Sequence, residues 1–317
     1  MGDYLVTGGA GFIGSHLVEN LLKVGKKVIC IDNLDDFYDP AIKRTNISEA
    51  LLNPNFRFIE ADIRDTNFLK EDLSSKDIDI IIHLAALAGV RASIQNPLLY
   101  ADVNIKGTIN MLELAKDLQV RHFVFASSSS VYGDNKKIPF SENDTVDNPV
   151  SPYGATKKTC EILCYTYHRL YDIPVTCLRY FTVYGPRQRP EMAIHKFTRM
   201  IDRDEPIPVY GDGESLRDYT YIDDAIDGTI KAIKNPFGYE IFNIGESRTV
   251  KLKDLISLIE DVLGKKAVIE RLPMQLGDVS ITYADITKSK KMLGYNPQVA
   301  IEDGIKRFVK WYKGEKD

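Results

Sequence analysis

Seven residues, Gly8-Gly9-Ala10-Gly11-Phe12-Ile13-Gly14, constrain this chain more than any other stretch. They follow the apolar run Asp3-Tyr4-Leu5-Val6-Thr7, which reads as a buried strand. They lead into an amphipathic run from Phe12 to Val24, which reads as a helix. Glycines at this spacing between strand and helix suit a backbone that must pass close to a ligand. Gly8 permits the tight turn, Gly11 lets main chain approach a pyrophosphate, and Gly14 lets the helix lie close to the sheet. The amides of the first helical turn, around Phe12 and Ile13, then face the diphosphate.

A second strand pattern, Lys27 to Ile31, ends at Asp32, 18 residues beyond Gly14. That is near the spacing of about 20 at which an acid meets the ribose of a bound dinucleotide. A carboxylate accepts hydrogen bonds from ribose hydroxyls but repels a 2'-phosphate. NAD is therefore expected rather than NADP, with Asn33 beside Asp32 in the site. Asp62-Ile63 follows a third strand pattern, Phe56 to Glu60, where it is expected to meet the adenine ring.

Further strand patterns fall at Ile78 to His83, Phe123 to Ala126 and Pro174 to Arg179. Helical patterns fall at Pro97 to Leu118, Tyr153 to about Tyr171, Lys251 to Leu263 and Ile301 to Tyr312. Apolar strands alternating with helices indicate a parallel sheet covered on both faces. At 317 residues a single core usually stops growing. The expected class is α/β, a doubly wound parallel sheet (Rossmann) with a smaller, interleaved C-terminal α/β substrate lobe. Residues 1–180, also receiving about 217–243, are expected to form the cofactor domain, and 181–317 the second lobe.

Tyr153-Gly154-Ala155-Thr156-Lys157 places a phenol and an ammonium at i and i+4, on one face of a helix. A free tyrosine titrates near 10. A lysine cation and a positively charged nicotinamide both favour the phenolate, which can then take a proton from a substrate hydroxyl. The run Ser127-Ser128-Ser129-Ser130 directly follows the fifth strand pattern. Ligands bind at such carboxyl ends, and a hydroxyl there can bond the reacting oxygen.

Charge and apolar content exclude other classes. The chain has 41 basic and 45 acidic residues, a balance that argues against a general nucleic-acid binder. Its most apolar run, Ile78 to Val90, is 13 residues long and interrupted by Asp79 and His83. A membrane span needs about 20 apolar residues. The chain passes from Met1-Gly2-Asp3 straight into a strand pattern, so no leader peptide is expected. Cys30, Cys160, Cys164 and Cys177 lack zinc spacing. They read as reduced thiols of a cytoplasmic protein without a metal.

The chain resembles the extended short-chain dehydrogenase/reductase superfamily, in its nucleotide-sugar epimerase/dehydratase branch. The likeness is carried by Thr7 to Gly14, His83-Leu84-Ala85-Ala86, Asn104, Ser127 to Gly133, Tyr153 to Lys157, Arg179-Tyr180-Phe181, Arg217-Asp218-Tyr219 and Gly277-Asp278. It implies a tightly held NAD recycled in place, a UDP- or TDP-sugar substrate, and a catalytic set of Ser128, Tyr153 and Lys157. It also implies that Leu84, Ala85, Ala86, Asn104, Ser127 and Tyr180 line the cofactor. Arg217 and Asp278 would meet the nucleotide. Members commonly dimerise through two helices per subunit. A homodimer is expected through Pro97 to Leu118 and Tyr153 to Tyr171, with Leu163, Tyr165, Tyr167 and His168 supplying the surface.

Within this branch, dehydratases resemble Thr-Asp-Glu before Val-Tyr-Gly, and decarboxylases carry a glutamate there. This chain has Ser129 and Ser130, neither an acid of useful pKa. A 4-epimerase needs no such acid. The strongest likeness is to the UDP-glucuronate 4-epimerases, through Ala88-Gly89-Val90-Arg91, Phe181 to Pro186, Arg189 to Ala193 and Gln275-Leu276-Gly277-Asp278-Val279. It implies that Arg189 and Thr182 approach the sugar carboxylate, with Ser128, Ser130 and Gln275 also in the substrate site. Thr282 stands where some UDP-glucose 4-epimerases carry a bulky tyrosine, so a wider pocket is expected. The alternative is epimerisation of UDP-glucose or UDP-N-acetylglucosamine.

Overall fold

A computed structural model describes residues 2–73 and 76–315; Met1, where the leader argument starts, lies outside them. Its strands, in chain order, are β1 Asp3–Thr7, β2 Val28–Asp32, β3 Phe56–Glu60, β4 Ile78–His83, β5 His122–Ser128 and β6 Val175–Tyr180. Then come β7 Thr182–Tyr184, β8 Ile207–Tyr210, β9 Leu216–Tyr221, β10 Tyr239–Ile244, β11 Thr249–Lys251 and β12 Ile269–Leu272. The helices are α1 Phe12–Lys23, α2 Pro40–Asn46, α3 Thr66–Leu73, α4 Val90–Gln95, α5 Pro97–Tyr100 and α6 Gly107–Asp117. After them come α7 Pro152–Tyr171, α8 Ala193–Asp202, α9 Ile222–Lys234, α10 Leu252–Leu263, α11 Thr287–Leu293 and α12 Ile301–Tyr312.

Seven parallel strands form the central sheet in the order β10-β6-β5-β4-β1-β2-β3. The first six follow the doubly wound order with its reversal beside β1. Alternate side chains explain why the strands read as unbroken apolar runs. Tyr4 and Val6 join the core on one face, with Ile80, Ile82, Val124 and Leu178. Leu5 joins the core on the other, with Ile81, Phe123, Phe125 and Val175. Both faces are dry, so both sets must be apolar.

Two small sheets lie outside this one, β11-β9-β7 and β12-β8. The chain enters them at Thr182 and returns to the central sheet at β10, which pairs in parallel with β6 from Tyr239↔Val175 to Ile244↔Tyr180. The late segment therefore threads back into the first layer, as an interleaved lobe requires.

One expected element differs. The pattern from Pro97 to Leu118 reads as a single helix, but its second turn, Ala101–Lys106, is a π-helix. The carbonyl of Asn104 accepts from Thr108 Oγ1 at 2.6 Å and from Cys160 Sγ at 3.3 Å. The widened turn carries Asn104 inward, to 2% exposure. The surface expected of α7 is also narrower. Leu163 and Tyr167 pack against the core, and the Tyr167 hydroxyl bonds Glu113. His168 is tied to the Ile173 carbonyl, whereas Tyr165 stays half exposed beside Ile162.

Candidate active site

A cavity of about 390 Å³ opens at the carboxyl ends of β1, β2, β4, β5 and β6. Its floor is the glycine turn. Gly8 sits at φ +70°, and a Cβ there would lie 2.7 Å from the Ala85 nitrogen. A Cβ on Gly14 would lie 2.1 Å from the Gly8 carbonyl oxygen, so the helix start packs directly on the turn. Gly8, Gly11, Phe12, Ile13 and Gly14 all face the cavity. Gly11 caps α1 without a side chain, leaving first-turn amides to meet an anion.

Asp32 reaches the same space at the end of β2. Its carboxylate accepts from the Ala10 and Leu34 amides at 3.1 and 2.9 Å, which fix it beside the turn. Burial pushes its pKa up, and those two bonds work against the shift. Asn33 also lines the cavity and donates to Asp62 at 3.0 Å. Asp62 is held mainly by Arg64, whose hydrogen bonds keep its carboxyl below the usual range. Ile63 completes that wall.

Leu84, Ala85 and Ala86 form the opposite wall. The buried His83 behind them bonds Thr7 at 2.7 Å and Thr108 at 3.1 Å. Burial, with help from Lys157, lowers its pKa to about 3, so His83 is a neutral brace. Asn104 does not face the cavity. The π turn places it behind the wall, where its amide bonds both backbone groups of Leu87 and the Thr156 hydroxyl.

The start of α7 sets the reactive pair. Ser151 caps it by accepting from Gly154 N at 3.1 Å, and Pro152 occupies the first turn. Tyr153 and Lys157 then project from one face into the cavity. Lys157 is 4% exposed and donates to the Ala126 carbonyl at 2.6 Å. Tyr153 meets the Tyr100 ring edge-on at 6.3 Å. Ser127, Ser128, Ser129 and Ser130 curl past β5 along the same cavity. Ser128 accepts from the Ser130 amide and donates to the Ser130 hydroxyl, both at 3.1 Å. Tyr180, Thr182, Arg189 and Met192 close the side facing the smaller lobe, with the Tyr180 hydroxyl 2.6 Å from Thr229.

A second, more polar cavity of about 230 Å³ is lined by Arg91, Glu191, Lys196, Tyr210, Arg217 and Asp278, among others. Arg217 donates to the Leu216 and Val279 carbonyls. Asp278 pairs with Arg91 at 2.7 Å, and Arg91 lies 4.3 Å from the centre of the Tyr210 ring. Gln275 lines neither cavity; its carbonyl accepts from the Asp278 amide. Thr282, expected to widen the pocket, lines neither as well. It is buried in the lobe, and its hydroxyl accepts from the Asp218 amide at 3.2 Å.

Sequence reasoning missed Phe37, Tyr38 and Lys43 on the first cavity, and Lys196 and Tyr210 on the second. The signal for the first group was an aromatic pair, Phe37-Tyr38, a few residues after Asp32. Tyr210 was marked only by the following Gly211-Asp212-Gly213 turn. Among the described residues, no cluster of histidine, cysteine, aspartate and glutamate is arranged to hold a metal.

A UDP-glucuronate 4-epimerase of Thermodesulfobacterium geofontis is 48% identical over 99% of this chain and 97% of its own length. The structure of UDP-glucuronic acid 4-epimerase from Bacillus cereus, in complex with UDP-glucuronic acid and NAD, is 40% identical with a TM-score of 0.92. That match covers 98% of this chain and 99% of the other. A UDP-glucose 4-epimerase of Thermotoga maritima, with UDP-glucose, is 36% identical with a TM-score of 0.90, covering 98% and 99%. Residues 5–308 match the GDP-mannose 4,6 dehydratase family. With that match spanning the sheet and both cavities, the chain belongs to the GDP-mannose 4,6 dehydratase family, within the extended short-chain dehydrogenase/reductases.

Proposed function

We infer that this chain is an NAD-dependent isomerase that epimerises carbon 4 of a UDP-sugar, converting UDP-glucuronate to UDP-galacturonate. The observation that carries the reading is the lining of the first cavity. Tyr153, Lys157 and Ser128 share it with Thr182 and Arg189, while Ser129 and Ser130 stand where a carboxylate would serve elimination or decarboxylation.

The cavity suits NAD. The missing Cβ atoms of Gly8 and Gly14 leave room for a close turn, and the Asp32 carboxylate suits ribose hydroxyls. Gly11, Phe12, Ile13, Asn33, Asp62, Ile63, the Leu84 to Ala86 wall, Ser127 and Tyr180 would complete its surroundings. Asn104 would act by holding Leu87. When bound, NAD supplies an acceptor that takes hydride from carbon 4 and returns it to the other face.

The remaining work falls to side chains. Tyr153 takes the proton of the 4-hydroxyl and gives it back after the keto sugar has turned. Lys157 places its ammonium on the same helix face as the Tyr153 phenol, anchored by its bond to the Ala126 carbonyl. Ser128 bonds the reacting oxygen. Arg189 holds the sugar carboxylate, bidentate geometry being natural to a guanidinium. A 4-keto uronate is a β-keto acid, and Arg189 keeps its carboxylate out of the geometry for loss of carbon dioxide. Arg217 and Asp278 take the nucleotide in the second cavity.

The division of labour follows from this. Residues 1–180, with about 217–243, hold the cofactor, and 181–317 otherwise hold the sugar nucleotide; the pairing of β10 with β6 supports it. The protein acts as a cytoplasmic homodimer. Leu98 on α5 and Ile162 and Tyr165 on α7, between 50 and 85% exposed, supply apolar surface for that contact.

The test is incubation of purified protein with UDP-glucuronate, followed by NMR of the products. UDP-galacturonate without net cofactor consumption is expected. Inert UDP-glucuronate together with interconversion of UDP-glucose and UDP-galactose would replace this reading with the neutral-sugar one, which the Thermotoga structure favours.

A further inference from the structure

One carboxylate between the two cavities has no part in the reaction above. Glu191 lines the second cavity among Arg91, Lys196 and Arg217. Its Oε1 lies 3.1 Å from Nε of Arg189, which lines the first. The Arg189 guanidinium also lies 5.7 Å from the centre of the Phe37 ring. A ring and a carboxylate together therefore set where Arg189 points. The two charges also act on a shared neighbour, Tyr100. Burial pushes that phenol up to about 12, Arg189 pulls it down, and Glu191 pushes it up.

A largely covered guanidinium costs free energy unless an anion offsets its charge. The Arg189 side chain is 21% exposed, and Glu191 is the anion beside it. A sugar carboxylate arriving at Arg189 would seek the same N–H donors, because bidentate pairing uses a whole edge of the guanidinium. Two carboxylates at one edge repel each other. The Glu191 side chain is 42% exposed, twice as open as Arg189, so it is the partner able to withdraw.

We propose that Glu191 is an internal surrogate for the substrate carboxylate, holding Arg189 in place when no uronate is bound and yielding its Nε when one arrives. Glu191 is then a specificity-determining residue. A uronate binds at the expense of the ion pair, whereas a neutral sugar leaves the pair intact. The built-in carboxylate thus narrows the preference for uronates over neutral sugars. This inference rests on the uronate reading above.

The test compares wild type, E191Q and E191D with UDP-glucuronate and UDP-glucose. Glutamine keeps the shape and an acceptor but removes the charge. In E191Q the ratio of the KM for UDP-glucuronate to that for UDP-glucose should fall by about two- to fivefold, the span expected for a part-exposed ion pair. The change should lie in KM rather than kcat, and E191D should restore the wild-type ratio. An unchanged or raised ratio, or an E191D ratio equal to that of E191Q, overturns the surrogate role. The wild-type arm separates the two ideas. No turnover of UDP-glucuronate there removes the uronate reading and the surrogate together; a failure confined to E191Q leaves the uronate reading standing.

Discussion

The Glu161 carboxylate accepts a 2.6 Å hydrogen bond from Ser127 on the cavity wall, while Arg179 grips it from behind with two bonds of 2.8 Å. Glu161 and Arg179 are each 1% exposed. Burial works against the Arg179 charge, but Glu161 outweighs it and holds the guanidinium well above its usual range. Lys157, one turn earlier on α7, anchors Ala126 in the same strand end. The end of β5 is thus tied to α7 at two successive residues.

Removing the charge from that buried pair should be costly. Glu161→Gln leaves Arg179 buried without an anion, a change worth about 3–5 kcal/mol. Urea unfolding should show the midpoint fall with little change in slope. A paired replacement, Glu161→Met with Arg179→Met, should cost less than Glu161→Gln, since no lone charge is left behind. A small loss in Glu161→Gln would show that the pair carries little stability.

Tyr153→Phe removes the proton acceptor and little else. Positioned acid-base groups contribute about 10²–10⁴ in rate. Turnover of UDP-glucuronate should fall by that order, while NAD stays with the purified protein by absorbance after denaturation. A near-normal rate would remove Tyr153 from proton transfer.

The parts legible in the sequence were those whose signals are local. The glycine turn, Asp32 and the Tyr153 and Lys157 pair lie within a few residues of what they build. Unbroken apolar runs along β1, β4, β5 and β6 marked the sheet because both faces are dry. Where tertiary contacts decide, the pattern misled. The π turn at Asn104 depends on Thr108 and Cys160, and apolar spacing does not register it. The resemblance makes Thr282 a pocket residue because some UDP-glucose 4-epimerases carry a bulky tyrosine there. Its hydroxyl instead braces the Asp218 amide inside the lobe. Glu161 and Arg179 stand on different elements, and only folding makes them partners.

A pH dependence follows from Glu246. Burial, joined by Asp224 and Asp218, raises its pKa from 4.5 to about 7. Between those values the folded protein holds a proton that the unfolded chain has released. Its contribution to stability is therefore greatest below about pH 4.5 and falls as pH rises to 7. Because Glu246 is only part-buried, the effect after screening is on the order of 1 kcal/mol. Glu246→Gln should lose this slope and unfold at higher temperature than wild type at pH 8. Identical melting curves for the two proteins from pH 5 to 8 would contradict it.

Arg189 is the side chain on which the choice of substrate turns. Truncation to alanine removes the cation on the wall of the first cavity and leaves Glu191 without its partner. A charged hydrogen bond is worth about 1.5–3 kcal/mol, so kcat/KM for UDP-glucuronate should fall roughly ten- to a hundredfold. UDP-glucose has no carboxylate to lose contact with, and its kcat/KM should fall much less. The carboxylate of the keto intermediate is also released, so a decarboxylated pentose product should grow relative to UDP-galacturonate. NMR of the reaction mixture reads both quantities in one experiment. If Arg189→Ala keeps the wild-type rate and product ratio, the guanidinium does not read the sugar carboxylate. Arg187 is not a ready substitute, because it pairs with Glu19 on α1 and lines neither cavity.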